Sequence, residues 1–333
     1  MAFGRIVRLF VGKFSVGNLT SQNSKDFSQF DIDFEVVRSI EWYDNEATVT
    51  IYNPSPESIN FIMSEGNSVL LQAGYEDETV GNIFVGQIGM AVPRRNGKDV
   101  ELVITCVSSR GSFYQLARLN CAIQFDGTAT VKQCLQELCD YAGIALRAGS
   151  HPKLSEPIGD GFNISGTFKQ AVCYFRDNVL IPKFGLHLYF DNNEMIVVNE
   201  DEKSIEFEEI TLDFRSGLLQ AEEIRDESLN KVNFGEDPMF YLFSQDEKDE
   251  SGLEKKPSKE IDRVRKIRFA ALISPKYAPN VFVNIDSSAG DAYDSVSSMA
   301  IKGNFIITEC TFRGSNTGSD FTVECEAREV SWK

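Results

Sequence analysis

Few side chains in this sequence could carry out chemistry. Among 333 residues there are only two histidines, His151 and His187. Imidazole is the base in Ser-His and Cys-His nucleophile systems and a common zinc ligand, so such sites would have to use one of these two residues. His151 precedes a proline, and His187 lies in the alternation Leu-His-Leu-Tyr-Phe. We therefore interpret both as structural or surface residues rather than catalytic bases.

The cysteines also argue against a reactive site. Their number is odd and no C-x-x-C pair occurs; they are Cys106, Cys121, Cys134, Cys139, Cys173, Cys310 and Cys325. Cys134 and Cys139 are five apart, a poor spacing for a metal or redox pair on a helix. The pattern predicts reduced thiols that fill apolar positions, and no disulfide framework.

Carboxylates are too numerous for adjacency to indicate catalysis. Asp31/Asp33 and Glu208/Glu209 could in principle act as acid and base. In a chain with 50 acidic residues, however, adjacency carries almost no information, and solvated strand faces explain such pairs better. The sequence also lacks the G-x-S-x-G, P-loop, H-E-x-x-H and G-x-G-x-x-G motifs. We predict no catalytic, cofactor-binding or metal-binding residue, and a protein that is not an enzyme.

The charge balance excludes further classes. Fifty Asp and Glu face 33 Lys and Arg, a formal net charge of −17. Binding to nucleic-acid backbone or to anionic membranes needs clustered Lys and Arg. The N-terminal stretch lacks a cleavage pattern, and no run approaches the roughly 18 apolar residues of a membrane span. We expect a protein made and folded in a cytoplasm, with no direct membrane binding.

Residues 1–110 alternate as strands do. Strands are predicted at 30–36, 47–52, 69–75, 83–92 and 100–108, with a short helix from Ser55 to Met63 and an Asn-Gly hairpin signal between the last two strands. The region is typical of a small antiparallel barrel.

In the middle of the chain, helical patterns replace the alternation of strands. Thr128 to Ala142 carries an apolar face of period 3.6, and Gly143 stands where a helix C-cap favours glycine. A second helix is predicted from Thr167 to Val179, followed by a hairpin at 186–190 and 195–198. These elements indicate a small α+β domain.

Residues 200–260 hold 19 acids and 8 bases, and a charged run at about 245–260 is predicted to be an exposed loop. Strand patterns return after Ile267, in the same order as in the first barrel. Residues 67–72 correspond to 280–284, 81–88 to 303–310, and the strands closing on Cys106 to those closing on Cys325. The sequence therefore predicts an internal repeat of one barrel.

The predicted fold class is α+β, mainly β, with two tube-like antiparallel β-barrel domains and an inserted small α+β domain. The predicted divisions are 1–110 for the first barrel, 111–200 for the α+β domain, 201–260 for the acidic connection, and 261–333 for the second barrel, which also takes part of 205–235.

Four segments of the first barrel have a distinctive sequence: Phe34-Glu-Val-Val, Ala47-Thr-Val-Thr-Ile-Tyr-Asn-Pro-Ser-Pro-Glu-Ser, Val69-Leu-Leu-Gln-Ala-Gly-Tyr and Ile83-Phe-Val-Gly-Gln-Ile. In these segments the barrel resembles the baseplate hub proteins of contractile phage tails and related injection machines. Pro54 replaces the leucine that is usual in the family turn. The helix at 128–142 also resembles the family's next element, and the likeness covers residues 30–145 best.

The resemblance implies a homotrimer in which two barrels per subunit form a ring of six. Such a hub joins a hexameric tail tube to a trimeric spike and contacts the tape-measure C-terminus and other baseplate proteins, while DNA only passes through its channel. Acidic residues lining that channel would keep DNA from sticking. The expected location is the tail baseplate of a virion.

Two other classes of function remain open from the sequence. One is a receptor- or carbohydrate-binding β protein of the virion surface that uses exposed aromatics such as Trp42, Tyr43 and Tyr75. The other is a cell-wall hydrolase that uses carboxylates. Neither requires two equivalent barrels, so the repeat favours the hub.

The acidic run gives a first prediction. Deleting residues 246–259 is expected to leave the fold intact, because few apolar groups there could join a core. Thermal unfolding of the deletion variant and the full chain should give the same melting temperature, and a loss of several degrees would contradict this prediction.

Overall fold

A computed structural model describes residues 4–13, 24–40, 45–64, 67–76, 79–108, 119–192, 194–199, 209–224, 265–288 and 300–330. The predicted loop at 245–260 lies outside these residues. Among the described residues, no helix is both long and apolar enough to cross a membrane.

The described residues form a mainly β structure of the α+β class. The strands are β1 (Arg5–Gly12), β2 (Ser24–Asp26), β3 (Ile32–Ser39), β4 (Glu46–Tyr52), β5 (Ser68–Tyr75), β6 (Gly81–Asn96), β7 (Asp99–Val107), β8 (Asn120–Phe125), β9 (Ala145–Ala148), β10 (Phe162–Thr167), β11 (Leu186–Asp191), β12 (Glu194–Asn199), β13 (Ile210–Leu212), β14 (Leu218–Glu223), β15 (Lys266–Leu272), β16 (Phe282–Asp286), β17 (Lys302–Ser315) and β18 (Phe321–Glu329). The helices are α1 (Pro56–Ile62), α2 (Val131–Ala142) and α3 (Phe168–Phe175).

The first barrel follows from the alternation of its strands. In β3, Ile32, Phe34 and Val36 are buried while Glu35 between them is exposed, as a half-buried strand requires. The strands pair in the order β3-β4-β7-β6-β5-β1-β2, with antiparallel neighbours throughout. The predicted strands and short helix are therefore confirmed.

Contacts between the ends of this strand order show that the sheet curls around its core. The Arg5 guanidinium, at the start of β1, donates to the carbonyls of Gly318 and Ser319 at 2.6 and 2.8 Å. The Tyr75 hydroxyl, at the end of β5, donates to the Phe321 carbonyl. All three acceptor residues lie in the β17–β18 turn or directly after it, and β17 pairs with β3. Strands β1 and β5 therefore lie close to the β17–β18 turn and to β3, although β3 stands at the other end of the strand order.

The second barrel repeats the pairing order of the first. Its strands run β14-β15-β18-β17-β16-β13, which matches β3-β4-β7-β6-β5-β1 strand for strand. Cys325 lies opposite Cys310, just as Cys106 lies opposite Ile88. The internal repeat predicted from the sequence is confirmed by this pairing, with one difference: β13 runs parallel to β16, whereas β1 runs antiparallel to β5.

The two barrels form one sheet of 13 strands because β17 pairs with both β18 and β3. We call the β17–β3 pairing the seam. One continuous apolar core runs under it, from Leu9 and Val49 of the first barrel to Phe312 and Val323 of the second.

The α+β unit has a separate core built from α2, α3 and the strands β8 to β12. Helix α2 starts with a capping box, in which Thr130 and Gln133 satisfy each other's backbone N–H groups, and ends at Gly143 with φ of 66°. The second helix is longer than predicted. After α3 the chain continues as a π-helix from Arg176 to Phe184 that contains Pro182, so the predicted end at Val179 is wrong.

The β11–β12 hairpin joins the α+β unit to both barrels through buried polar groups. The Asp191 carboxylate accepts from Arg38 Nε at 3.0 Å and Nη2 at 2.5 Å, and from Asn45 Nδ2 at 2.8 Å. Arg38 Nη1 also donates to the Tyr277 carbonyl of the second barrel. Burial disfavours the charged form of Arg38 and by itself would lower its pKa. The charge and the hydrogen bonds of Asp191 outweigh this effect, so the pKa of Arg38 is raised.

This network predicts a large loss of stability in Asp191→Ala. The change leaves the Arg38 guanidinium buried without a counter-ion, which typically costs about 3 to 5 kcal/mol. Replacing both partners, in Arg38→Met with Asp191→Leu, should cost less, because no charge is then left in the interior. Urea unfolding of the three proteins measures the difference.

Glu35→Ala is the control. It breaks an ion pair with Arg313 in which both side chains are about half exposed, which is typically worth at most about 1 kcal/mol. Equal losses in Asp191→Ala and Glu35→Ala would contradict the role given to the buried pair.

Candidate functional site

The two barrels share a polar face on their common sheet. Eight strands contribute to it, in the order β6-β7-β4-β3-β17-β18-β15-β14, all antiparallel. Residues directly opposite in antiparallel strands project to the same side. The pairs Thr48–Glu35 and Glu35–Arg313 therefore share one side of the sheet, opposite to the buried Phe34 and Val36. We call this side the polar face.

Cross-strand pairing assigns 14 ionisable Asp, Glu, Lys and Arg side chains to the polar face. The acids are Asp33, Glu35, Glu46, Asp99, Glu101, Glu222, Glu309, Glu324 and Glu326, and the bases are Arg94, Lys266, Arg268, Arg313 and Arg328. Nine carboxylates against five cations leave a formal charge of −4 on this face of each chain.

Ion pairs cross the seam and continue over the second barrel. Arg313 of β17 contacts Glu35 of β3 at 3.0 Å and Glu324 of β18 at 3.2 Å. Arg268 of β15 then contacts Glu324 at 3.2 Å and Glu326 at 2.8 Å. The hydrogen bond that Arg268 donates to Glu326 is the main cause of the raised pKa of Arg268. We call these four ion pairs the ion-pair ladder. Because the side chains are about half exposed, the ladder contributes little to stability and mainly determines how charge is distributed over the face.

The charge is unevenly divided between the barrels. Five of the acids and only one base, Arg94, lie on the strands of the first barrel. The four acids on the second barrel are matched by four bases. The negative charge of the face therefore lies on β3, β4, β7 and β6.

A shallow cleft lies across the seam, and Asp33, a partner of Tyr52, is part of its lining. The Tyr52 hydroxyl donates to Asp33 at 2.7 Å, and this hydrogen bond, with partial burial, raises the pKa of Tyr52 to about 12. The cleft has a volume of about 440 Å³ and is lined by backbone and side chains of β3, β4, β17 and the following turn, among them Thr50 and Asp320. It is an open depression of the sheet rather than an enclosed substrate pocket.

The two histidines have structural partners. His151 precedes a short 3₁₀ turn, and its Nδ1 accepts from the Lys153 backbone N–H at 3.2 Å. Its Nε2 lies 3.4 Å from the Asn199 amide. His187 is half-buried on β11, opposite Val198. Neither histidine lies on the polar face.

The thiols are core residues, as predicted. Six are buried, and Cys173 is half-buried. Cys134 and Cys139 both lie on the apolar side of α2, with Cys139 Sγ 3.6 Å from Met195 Sδ. Burial raises the pKa of Cys139 to about 12, which disfavours the reactive thiolate. Over the described residues, no three His, Cys, Asp or Glu side chains form a group that could hold a metal ion.

The remaining candidates do not converge on a site. Asp33 belongs to the polar face, while Asp31 lies exposed in the turn before β3. Glu209 is exposed, and Glu208 lies outside the described residues. Tyr75 was expected to be exposed, and this is wrong: it is 4% exposed and packs edge-on against Phe321 at 5.2 Å. The other two aromatics of the receptor-binding hypothesis, Trp42 and Tyr43, lie outside the described residues.

Comparisons with solved structures show which known proteins share this fold. No protein-family model and no curated protein matches the sequence. Solved structures do match, and the chain has the fold of phage tail proteins. This agrees with the resemblance to baseplate hub proteins found in the sequence.

Three neighbours illustrate the match. A tail protein from Neisseria meningitidis is 13% identical with a TM-score of 0.61, over 98% of this chain and 97% of that one. The 43 kDa tail protein of prophage MuSo2 from Shewanella oneidensis is 12% identical with a TM-score of 0.58, over 98% of both chains. An Escherichia coli component of the type VI secretion system, described as similar to the T4 tail proteins gp27 and gp5, is 12% identical with a TM-score of 0.52, over 91% of this chain and 74% of that one.

The acidic half of the polar face gives a testable prediction about DNA. The wild type should not bind duplex DNA, because its carboxylates repel phosphate. Changing Glu46, Asp99 and Glu101 to Lys reverses the charge of that half and should create binding that weakens steeply with salt. Fluorescence anisotropy with a labelled duplex at low salt measures the effect.

The matched control changes three exposed acids of the α+β unit, Glu137, Asp140 and Glu156, to Lys. Its net charge is the same, but the new cations are not clustered on the sheet, so it should bind roughly tenfold more weakly. Equal binding by both variants would mean that net charge, and not the polar face, governs the interaction.

Proposed function

We propose that the chain is a structural hub of a phage tail baseplate or a related contractile injection machine. The observation that carries the proposal is the pair of topologically equivalent barrels joined side by side in one sheet. Three copies would present six barrels in a ring, which matches a hexameric tail tube on one side and a trimeric spike on the other. The hub would thereby adapt sixfold to threefold symmetry.

The same arrangement supplies a channel surface. The polar face is continuous across the seam, so in a ring it would line the passage for DNA or effectors. Its formal charge of −4 per chain comes from nine carboxylates and five cations. A negative wall prevents a passing polyanion from adhering. The proposed partners are a second and third copy, the tube and spike proteins, the tape-measure C-terminus and other baseplate proteins.

The proposed role is structural, not catalytic. The neighbours of similar fold support this, since they are tail proteins and a secretion-system component. The receptor-binding alternative loses one of its three aromatics, because Tyr75 is buried. No specific observation favours the hydrolase.

Cryo-electron microscopy of the complete particle tests the proposal. We expect density for this chain on the tail axis between tube and spike, as three copies with six similar barrels and with the polar face toward the lumen. Labelling the chain with an antibody fragment would mark its position independently. Density on receptor-facing fibres, or a neutral or basic lumen, would overturn the proposal.

A further inference from the structure

Two of the buried thiols face each other across neighbouring strands of the second barrel. Cys310 of β17 lies directly opposite Cys325 of β18. Both side chains are fully buried, and the Cys325 Sγ donates a weak hydrogen bond to the Cys310 Sγ at 3.6 Å. Residues 311–324 separate them along the chain and include the β17–β18 turn. The two sulfur atoms are therefore in contact inside the core, on the side of the sheet opposite to the polar face.

The hydrogen bonds along the seam show which kind of cross-strand pair the two cysteines form. The Ile40 N–H donates to the Thr308 carbonyl at 2.9 Å. Bonded pairs recur at every second position of an antiparallel ladder, so Arg38 and Cys310 are a bonded pair as well. The backbone N–H and C=O of Cys310 thus point toward β3 and away from β18. Cys310 and Cys325 are consequently a non-hydrogen-bonded pair, in which the Cα atoms are about 4.5 Å apart.

This geometry suits a disulfide, whose Cα atoms are usually about 4.4 to 6.8 Å apart. Strand pairing already holds both side chains on the same side of the sheet. Cys134 and Cys139 do not meet the requirement. A rise of about 1.5 Å per residue separates them by about 7.5 Å along the axis of α2, which is too far for a disulfide. Cys106 lies opposite Ile88 rather than opposite a second cysteine.

We propose that Cys310 and Cys325 are a redox modification site, at which a low-molecular-weight disulfide such as oxidised glutathione joins the two thiols by a bond that ties β17 to β18. The thiolate of one cysteine attacks a glutathione sulfur, which forms a mixed disulfide and releases one glutathione. The thiolate of the other cysteine attacks the protein sulfur of the mixed disulfide and releases the second glutathione. Two protein thiols are oxidised, one glutathione disulfide is reduced to two thiols, and the released thiolates take up the two protons. The inference does not depend on the proposed hub function.

The bond reinforces the hairpin that carries the seam. Strand β17 pairs with both β18 and β3. The loop closed by the bond contains the carbonyls that accept hydrogen bonds from Arg5 and Tyr75 of the first barrel. A cross-link of this kind stabilises the folded chain by restricting the unfolded one. Because the first barrel has Ile88 opposite its cysteine, oxidation acts on only one of the two equivalent barrels.

Burial determines when the site reacts. It is the main cause of the raised pKa of the Cys325 thiol, although the positive charge of Arg38 favours the thiolate. The closed sheet therefore holds little thiolate and excludes glutathione, so the reaction requires transient opening of β17 and β18. The reducing glutathione pool of a cytoplasm keeps both thiols free, whereas an oxidising medium favours the bond.

Thiol mapping of the full chain tests the proposal. The purified protein is held with oxidised and reduced glutathione in urea just below its unfolding transition, where opening of the sheet admits the reagent and incorrect pairs can exchange. Free thiols are then alkylated, bridged thiols are reduced and alkylated with a second reagent, and the peptides are analysed by mass spectrometry. The bridge between Cys310 and Cys325 should be roughly tenfold more abundant than any other pair. The bridged chain should also unfold at a higher urea concentration than the reduced chain.

Two variants control for geometry and access. Cys310→Ala removes one partner, so glutathione should no longer shift its urea midpoint; each protein is compared with its own reduced form, and a loss of stability from the cavity therefore cancels. Ile88→Cys places a second thiol opposite Cys106. The bond from the Ser108 N–H to the Asn45 carbonyl sets the same alternation there, so this pair is also non-hydrogen-bonded. It should gain a second bridge under the same conditions.

Each outcome decides the proposal. Thiols that stay free at positions 310 and 325 overturn it, and a bridge in Ile88→Cys would then show that the reagent had reached the sheet. Bridges spread evenly over several pairs also overturn it, because the fold would not select the pair. A dominant bridge that leaves the urea midpoint unchanged overturns the stabilising role. A dominant bridge with a raised midpoint, and no shift in Cys310→Ala, supports the inference.

Discussion

The pairing of β17 with β3 is the interaction on which the rest of this structure depends. It makes two barrels into one sheet through seven consecutive residue pairs. The upper side of the seam carries the ion-pair ladder of Glu35, Arg313 and Glu324, and the lower side closes over the common core. Without the seam, the polar face would be two separate patches and the barrels could rotate relative to each other.

The underside of the seam explains why a charged residue lies in the interior. Arg38 lies opposite Cys310 in the seam and is 3% exposed. Its planar guanidinium makes two bonds to the Asp191 carboxylate and a third contact to the Tyr277 carbonyl, so it touches the α+β unit and the second barrel at once. Apolar residues could be as stable here, but a bidentate pair fixes direction as well as distance. The position of the α+β unit is therefore tied to the geometry of the seam.

Local patterns made much of the fold predictable. Buried and more exposed side chains alternate strictly along β3, and Gly143 ends α2 with positive φ. The repeat was visible as similar sequence segments at 81–88 and 303–310. Strand β14 was not identified as a strand, because Leu-Leu-Gln-Ala-Glu-Glu has no alternation and pairs only at one edge. The Arg38–Asp191 pair joins residues 153 positions apart, and no local signal indicates it. Tyr75 was misjudged because the exposure of a strand residue depends on what covers it, here Phe321.

The sign of the charge on the polar face was predictable from the sequence, but the distribution of that charge between the two barrels was not. The sequence places an excess of five acids in residues 1–110, and the structure puts most of the facing charge on that barrel. The second barrel has the same backbone pairing, yet Arg268, Arg313, Lys266 and Arg328 balance its four acids. The two barrels are thus equivalent in topology and different in charge. In the proposed ring of three chains, backbone symmetry would approach sixfold while the electrostatic field stayed threefold, with acidic and neutral sectors alternating around the lumen. The two copies of the repeat therefore share their backbone pairing but differ in the charges that face solvent, since backbone hydrogen bonding sets the pairing and leaves the exposed side chains free to vary.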